Sequence, residues 1–160
     1  MDKKLEPQIP VQQNKEPFWV HTPLEKMTPS QWESLCDGCG KCCLLKIQES
    51  TIQQVRTTKI CCRLLNTNTC KCSNYKERFR YVDDCIKLNP TNVQTITWLP
   101  KSCAYRLIKE KKALPEWHPL ITNDPQSTVK SGHSVKNFVV HPALANKPII
   151  TYLLEEEEIP

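Results

Sequence analysis

The chain has 160 residues, a formal net charge of +5 and ten cysteines, and only 7% of its residues are aromatic. This length favours one domain with a modest core, and thirteen prolines against three glycines indicate turning segments rather than long helices. No run approaches the roughly 20 apolar residues of a membrane span, and no apolar stretch typical of a signal peptide follows the basic start. We therefore expect a cytoplasmic protein whose thiols stay reduced.

The first part of the chain predicts a loose arm followed by a short helix. Residues 1–16 are polar, contain prolines and show no hydrophobic period, whereas Phe18 and Trp19 mark the first anchoring point. The sequence Thr28-Pro29-Ser30-Gln31 is typical of a helix start with a capping box. We expect a domain over residues 17–154 and a solvated acidic tail over residues 155–160.

The cysteine run that follows this helix is the feature most indicative of chemistry. Cys36, Cys39, Cys42 and Cys43 lie in the sequence C-D-G-C-G-K-C-C, whose two glycines allow a tight turn. Cysteines two residues apart can bind one ion without straining the backbone. Adjacent cysteines are awkward in a disulfide framework, so metal is favoured over disulfides or buried free thiols, which stay open as alternatives.

The middle of the chain alternates short predicted elements with further cysteines. Apolar residues between Leu44 and Ile60 indicate one or two short strands. A helix is predicted over 100–112 with Ser102 as its cap, and residues 134–141 are weakly strand-like. The remaining metal ligands predicted by spacing and position are Cys62, Cys70, Cys72, Cys85 and Cys103. Cys85 and Cys103, taken alone, could equally be small buried residues.

Other chemical motifs are weak. The four histidines lack the H-x3-5-H spacing of a metal site, no recognised catalytic motif occurs, and His118 is best explained as structural. Asp83 and Asp84 could be paired catalytic carboxylates, although a turn or helix start explains them better. Basic and aromatic residues alternate over 75–81, as on a single-strand nucleic-acid surface, but a half-buried segment gives the same pattern. Thiolates bound to metal would also offset much of the positive charge, which disfavours nucleic acid as a partner.

Residues 17–141 carry motifs that resemble a known family. C-D-G-C-G-K-C-C, C-R-L-L-N-x3-C-K-C-x2-Y, D-C-I-K-L, W-L-P-K-S-C-A-Y-R and L-P-E-W-H-P-L are similar to the YcgN-type bacterial family, within the CxxCxxCC group of zinc- or iron-chelating domains. The resemblance implies a metal but no activity. The cysteines it implies as ligands are Cys36, Cys39, Cys42, Cys43, Cys62, Cys70, Cys72, Cys85 and Cys103. It leaves Cys61 as a spare thiol, and alternating faces in an extended segment also predict that Cys61 and Cys62 point apart.

The sequence thus predicts an α+β fold, namely a small, irregular, loop-rich single domain stabilised by a cysteine metal cluster. The predicted function is metal binding in the cytoplasm. Zinc or iron is the predicted cofactor, and an iron–sulfur cluster is one form in which iron could be bound. An iron–sulfur redox protein or enzyme and a metal-stabilised interaction module are the alternatives. We expect no membrane association, and the sequence names no partner.

Overall fold

The computed structural model describes residues 16–49 and 54–160. Nearly all of the predicted arm, residues 1–16, lies outside them. The helices are α1 (Phe18–His21), α2 (Pro29–Ser34), α3 (Arg78–Tyr81), α4 (Asn92–Thr95), α5 (Ala104–Lys109), α6 (Pro119–Thr122) and α7 (Ser127–Lys130). Single 3-10 turns occupy Leu24–Lys26, Lys41–Cys43, Pro142–Leu144, Ile149–Tyr152 and Glu156–Glu158. In the described part of the chain, no helix is long and apolar enough to cross a membrane.

Two small antiparallel sheets accompany these helices. Strands β1 (Leu44–Glu49) and β2 (Gln54–Cys61) pair in one hairpin, and β3 (Leu65–Asn66) pairs with β4 (Lys71–Cys72) in another. The register of the first hairpin is irregular between Leu44 and Lys46, as at a β-bulge. The predicted fold class is confirmed, because short helices and short antiparallel sheets are joined by loops in one mixed α+β domain.

The predicted helix start at Thr28 is confirmed in detail. The Thr28 hydroxyl accepts the backbone N–H of Gln31 at 3.2 Å, and the Gln31 side chain accepts the N–H of Thr28 at 2.9 Å. This reciprocal pair satisfies two N–H groups that a helix leaves free at its start. Helix α2 is thereby fixed just before the cysteine run.

Two expectations for other elements are wrong. Helix α5 covers only Ala104–Lys109, and its cap position is Cys103 rather than Ser102, whose hydroxyl instead accepts a hydrogen bond from Lys41. Residues 134–141 form turns, and only Val140 pairs as a strand would, in a single bridge with Ile60. In the helix, the hydrogen bond from Lys41 to Ser102 outweighs the preference of serine for the cap position. In residues 134–141, the tight turn outweighs the strand propensity of the apolar side chains.

Two apolar clusters form the interior. The larger core joins the N-terminal helices to α4 and α5 and contains Leu24, Leu35, Val93, Leu99, Ala104, Tyr105, Leu107 and Leu114. The smaller core lies under the β1–β2 hairpin and contains Leu44, Cys61, Leu65, Cys70 and Val135. The turn that carries the cysteine run connects Leu35 in one core to Leu44 in the other.

Candidate metal centre

The cysteine run folds as a tight turn that is held by hydrogen bonds within the turn and by one to the smaller core. Gly40 has a φ of 75°, a left-handed conformation that glycine adopts without a steric cost. The Asp37 carboxylate accepts the N–H of Cys39 at 3.0 Å, and the N–H of Cys43 donates to the Gly40 carbonyl at 3.0 Å. The Cys39 carbonyl accepts the N–H of Val135 at 2.9 Å, which ties the turn to the smaller core.

Most of the predicted ligands surround one cavity. It has a volume of about 760 Å³, and apolar side chains of both cores complete its walls. Six cysteines from four separate segments line this thiol cavity, namely Cys36, Cys42, Cys43, Cys62, Cys72 and Cys85. Side chains as far apart in sequence as residues 36 and 85 therefore face the same space.

The other four cysteines lie around this cavity or in the core. Cys103 is close enough to Cys36 and Cys42 for their charges to interact, and the buried Cys39 interacts in the same way with Cys42. Cys61 and Cys70 pack inside the smaller core, where Cys61 is completely buried, and Cys70 also lies close enough to Cys42 for their charges to interact. The expected difference between Cys61 and Cys62 is present, since only Cys62 faces the cavity.

Burial is the main cause of the raised pKa of several of the ten thiols. Burial and the neighbouring Cys42 raise the pKa of Cys36 to about 12, although solvent reaches its side chain through the cavity. Burial is also the main reason that the pKa of Cys103 rises to about 11, and it raises the pKa of Cys85. Several thiolates without a cation would repel one another here, so the site favours either protons or a bound metal ion.

Cys42 differs from its neighbours. A hydrogen bond from the Cys43 thiol lowers the pKa of Cys42, and the nearby Lys46 ammonium acts in the same direction. The Lys46 Nζ atom donates to the carbonyls of Cys42 at 3.1 Å and Leu44 at 2.7 Å, and it lies 4.8 Å from the centre of the Trp98 ring. Both neighbours therefore favour the thiolate form of Cys42.

The donor set fits a thiophilic metal, but the thiols are not arranged as a finished shell. All ten cysteines are free, and within residues 16–49 and 54–160 no three His, Cys, Asp or Glu side chains form a ready ligand group. Thiolates are preferred ligands of zinc and of iron–sulfur clusters. The sulfur atoms that share the cavity would have to move closer to one another when a metal ion binds. Their role as ligands therefore stays a prediction.

Several residues outside the cysteine set have clear roles. His118 is buried, with Nε2 3.1 Å from the Leu35 carbonyl and Nδ1 accepting the N–H of Leu120, so its structural role is confirmed. Asp83 and Asp84 form an exposed turn rather than a helix start. Lys46 was not predicted, because no sequence signal places a lysine of a strand beside thiols and a tryptophan.

The basic and aromatic segment at 75–81 folds against itself. The Arg78 guanidinium lies over the rings of Tyr75 and Phe79, at 3.8 Å and 4.4 Å from their centres. Arg78 also lines the thiol cavity and reduces the pKa rise of Cys85. Arg78 is therefore engaged within the domain, which leaves less of this segment for stacking with nucleic-acid bases.

Comparisons with known proteins identify the family of this chain. Residues 35–104 match the family model CxxCxxCC, described as a "putative zinc- or iron-chelating domain". A UPF0260 protein of Shewanella frigidimarina is 50% identical over 78% of this chain and 84% of its own length. A UPF0260 protein of Aliivibrio fischeri is 48% identical over 79% and 86%, and one of Klebsiella pneumoniae is 46% identical over 79% and 86%. No solved structure matches the chain. At this identity and coverage, the resemblance inferred from the motifs is confirmed, and the chain belongs to the UPF0260 family.

Proposed function

We propose that this protein is a cytoplasmic metal-binding protein whose cysteines hold zinc or iron in the thiol cavity. The observation that carries the proposal is the convergence of six cysteines from four segments on one space. Thiols left unpaired and facing a cavity are an unusual use of cysteine, whereas thiolate ligands around a metal are a common one. The reducing cytoplasm would keep these thiols available.

Seven thiols are linked in one continuous chain of neighbours. Cys36 and Cys103 interact with Cys42, and Cys42 is hydrogen bonded to Cys43. Cys43 interacts with Cys62, and Cys85 interacts with both Cys62 and Cys72. A single zinc ion takes four ligands, and seven sulfur atoms exceed that number. Two ions or one iron–sulfur cluster with a neighbouring ion would use them better. This excess of thiols supports the iron–sulfur alternative as the second candidate.

Metal analysis of protein purified without oxygen tests the proposal. We expect one or two equivalents of zinc or of mononuclear iron, or about two to four irons with matching sulfide if a cluster is bound. X-ray absorption should show metal–sulfur distances of about 2.3 Å if the metal is zinc. Zinc gives a colourless protein, and an iron–sulfur cluster gives visible absorption. Protein that is folded and free of both metals under these conditions would contradict the proposal.

Matched cysteine variants test the ligand set. We expect Cys36→Ser and Cys62→Ser to lose at least one equivalent of metal, because each removes a thiol facing the cavity. Cys61→Ala removes a neighbouring thiol that is buried in the smaller core, so it should keep the full metal content. Loss of metal from the Cys61 variant alone would show that the assignment of the two adjacent cysteines is reversed.

A further inference from the structure

A second cavity lies beside the thiol cavity and has a different character. Its volume is about 700 Å³, and the two cavities share Lys46, Val55, Trp98 and Leu99 as a common wall. Four further cationic side chains line this basic cavity, namely Lys41, Arg56, Lys101 and Arg106. The carboxylates that line it all come from one acidic segment, Glu155–Glu157.

Lys41 is the residue that distinguishes this cavity from an ordinary charged surface. The residue is only 5% exposed, and its ammonium donates to the Ser102 hydroxyl at 3.0 Å. Among the described residues, it has no other hydrogen-bond acceptor and no salt bridge. A buried ammonium normally has an anionic partner, because its desolvation otherwise costs several kcal/mol. Two Lys41 donors and the Ser102 proton remain for a ligand.

The acidic segment partly neutralises the mouth of the cavity without reaching Lys41. Glu155 binds Arg56 at 2.9 Å and Glu156 binds Lys101 at 2.8 Å. Both carboxylate side chains are more than half exposed, so these ion pairs are weak and can exchange with another anion. The Leu154 N–H donates to the Thr57 carbonyl and positions the segment beside β2.

We propose that the basic cavity binds a phosphate-bearing small molecule, with Lys41 and Ser102 at its floor and Arg56 and Lys101 at its mouth. A phosphate group offers more negative charge and more acceptor oxygens than a carboxylate, which suits a lysine floor and arginine at the rim. The volume lies in the range of small-molecule sites, and Trp98 offers an apolar wall for the organic part. Glu155 and Glu156 act as internal competitors of the phosphate group.

Equilibrium dialysis with inorganic phosphate and with adenosine monophosphate, at constant ionic strength, tests this proposal. We expect Lys41→Met to weaken phosphate binding at least about tenfold, the loss typical of a charge-assisted hydrogen bond. The double variant Glu155→Gln, Glu156→Gln should tighten phosphate binding about threefold, because two weak competing ion pairs are removed. Lys147→Met, which removes an exposed lysine outside the cavity, should change nothing.

Further variants keep the result interpretable. If Lys41→Met does not fold, Ser102→Ala and Lys101→Met should each weaken binding while the metal content stays at the wild-type value. Tighter binding of the nucleotide than of phosphate identifies a phosphomonoester site, and equal binding identifies a site for the phosphate group alone; both support the proposal. Binding that is absent from the wild type and from the glutamine double variant, or that falls equally in Lys147→Met, overturns it. Metal content, measured in the same samples, reports separately on the thiol cavity.

Discussion

At the scale of single residues, the thiols of one cavity are unequal because their nearest charges differ. Protein atoms surround the Cys36 thiol except on its solvent-facing side, and this desolvation together with the neighbouring Cys42 raises its pKa to about 12. Cys42 has the Cys43 proton and the Lys46 ammonium as neighbours, and these lower its pKa. Cys36 therefore keeps its proton at neutral pH, and Cys42 loses its proton more readily than Cys36 does. A metal ion would meet one nearly ready ligand and several that must first be deprotonated.

This difference predicts a steep pH dependence of metal affinity. A thiol whose pKa lies above the working pH carries its proton in the metal-free protein, so binding must expel that proton and acid opposes binding. For each such ligand, every pH unit of acidification between pH 8 and pH 6 should lower the metal affinity about tenfold. Competition with a chromophoric chelator at several pH values measures the slope. Lys46→Gln should steepen the dependence, Lys59→Gln should not, and a flat profile would show that thiolates are not the ligands.

At the scale of elements, the cysteine turn contains a matched pair of glycines. Gly38 and Gly40 both have positive φ, at 70° and 75°. A Cβ atom added at Gly38 would meet nothing within 4 Å, whereas one at Gly40 would lie 2.7 Å from both the Cys70 sulfur and a Val135 methyl group. Both positions require a left-handed backbone conformation, but only Gly40 is also packed closely against the smaller core.

The pair predicts two different costs for the same substitution. Gly38→Ala should reduce the free energy of unfolding by about 1–2 kcal/mol, the cost of a left-handed alanine. Gly40→Ala should cost about 1–3 kcal/mol more, because Cys70 or Val135 must move. Denaturant titration of the metal-loaded variants measures both. Equal losses would mean that the smaller core yields to the added methyl group without cost.

The extent to which the sequence predicts these elements depends on the range of their interactions. The capping box at Thr28 and the hairpin strands rest on neighbouring residues, and both were predictable. The Lys41–Ser102 hydrogen bond joins residues 61 positions apart, and no local pattern indicates it. The grouping of cysteines was predicted by spacing within the run, but the burial of Cys70 was not, because it depends on how β3 and β4 pack under Gly40.

At the scale of the whole molecule, the domain has little regular structure to hold it together. Its described helices span only four to six residues, and its sheets have two strands each. Helices and hairpins of this size are marginal alone in water, so they depend on tertiary contacts. The two cores are connected through the cysteine turn and meet at the thiol cavity. A bound metal would therefore link the cores directly, in addition to satisfying its own ligands.

Metal removal should accordingly unfold much of the region between residues 36 and 103. A structural zinc site supplies on the order of 10 kcal/mol or more of folding free energy, which is comparable to the total stability of a typical domain. We expect chelation to lower the melting temperature sharply and to reduce the circular dichroism signal, with readdition of metal restoring both. Chelator that has first been saturated with zinc is the control, because it adds the same solute without removing metal. An unchanged melting temperature in fully metal-free protein would show that the two cores are sufficient, and the cysteines would then bind metal on a scaffold that folds without it.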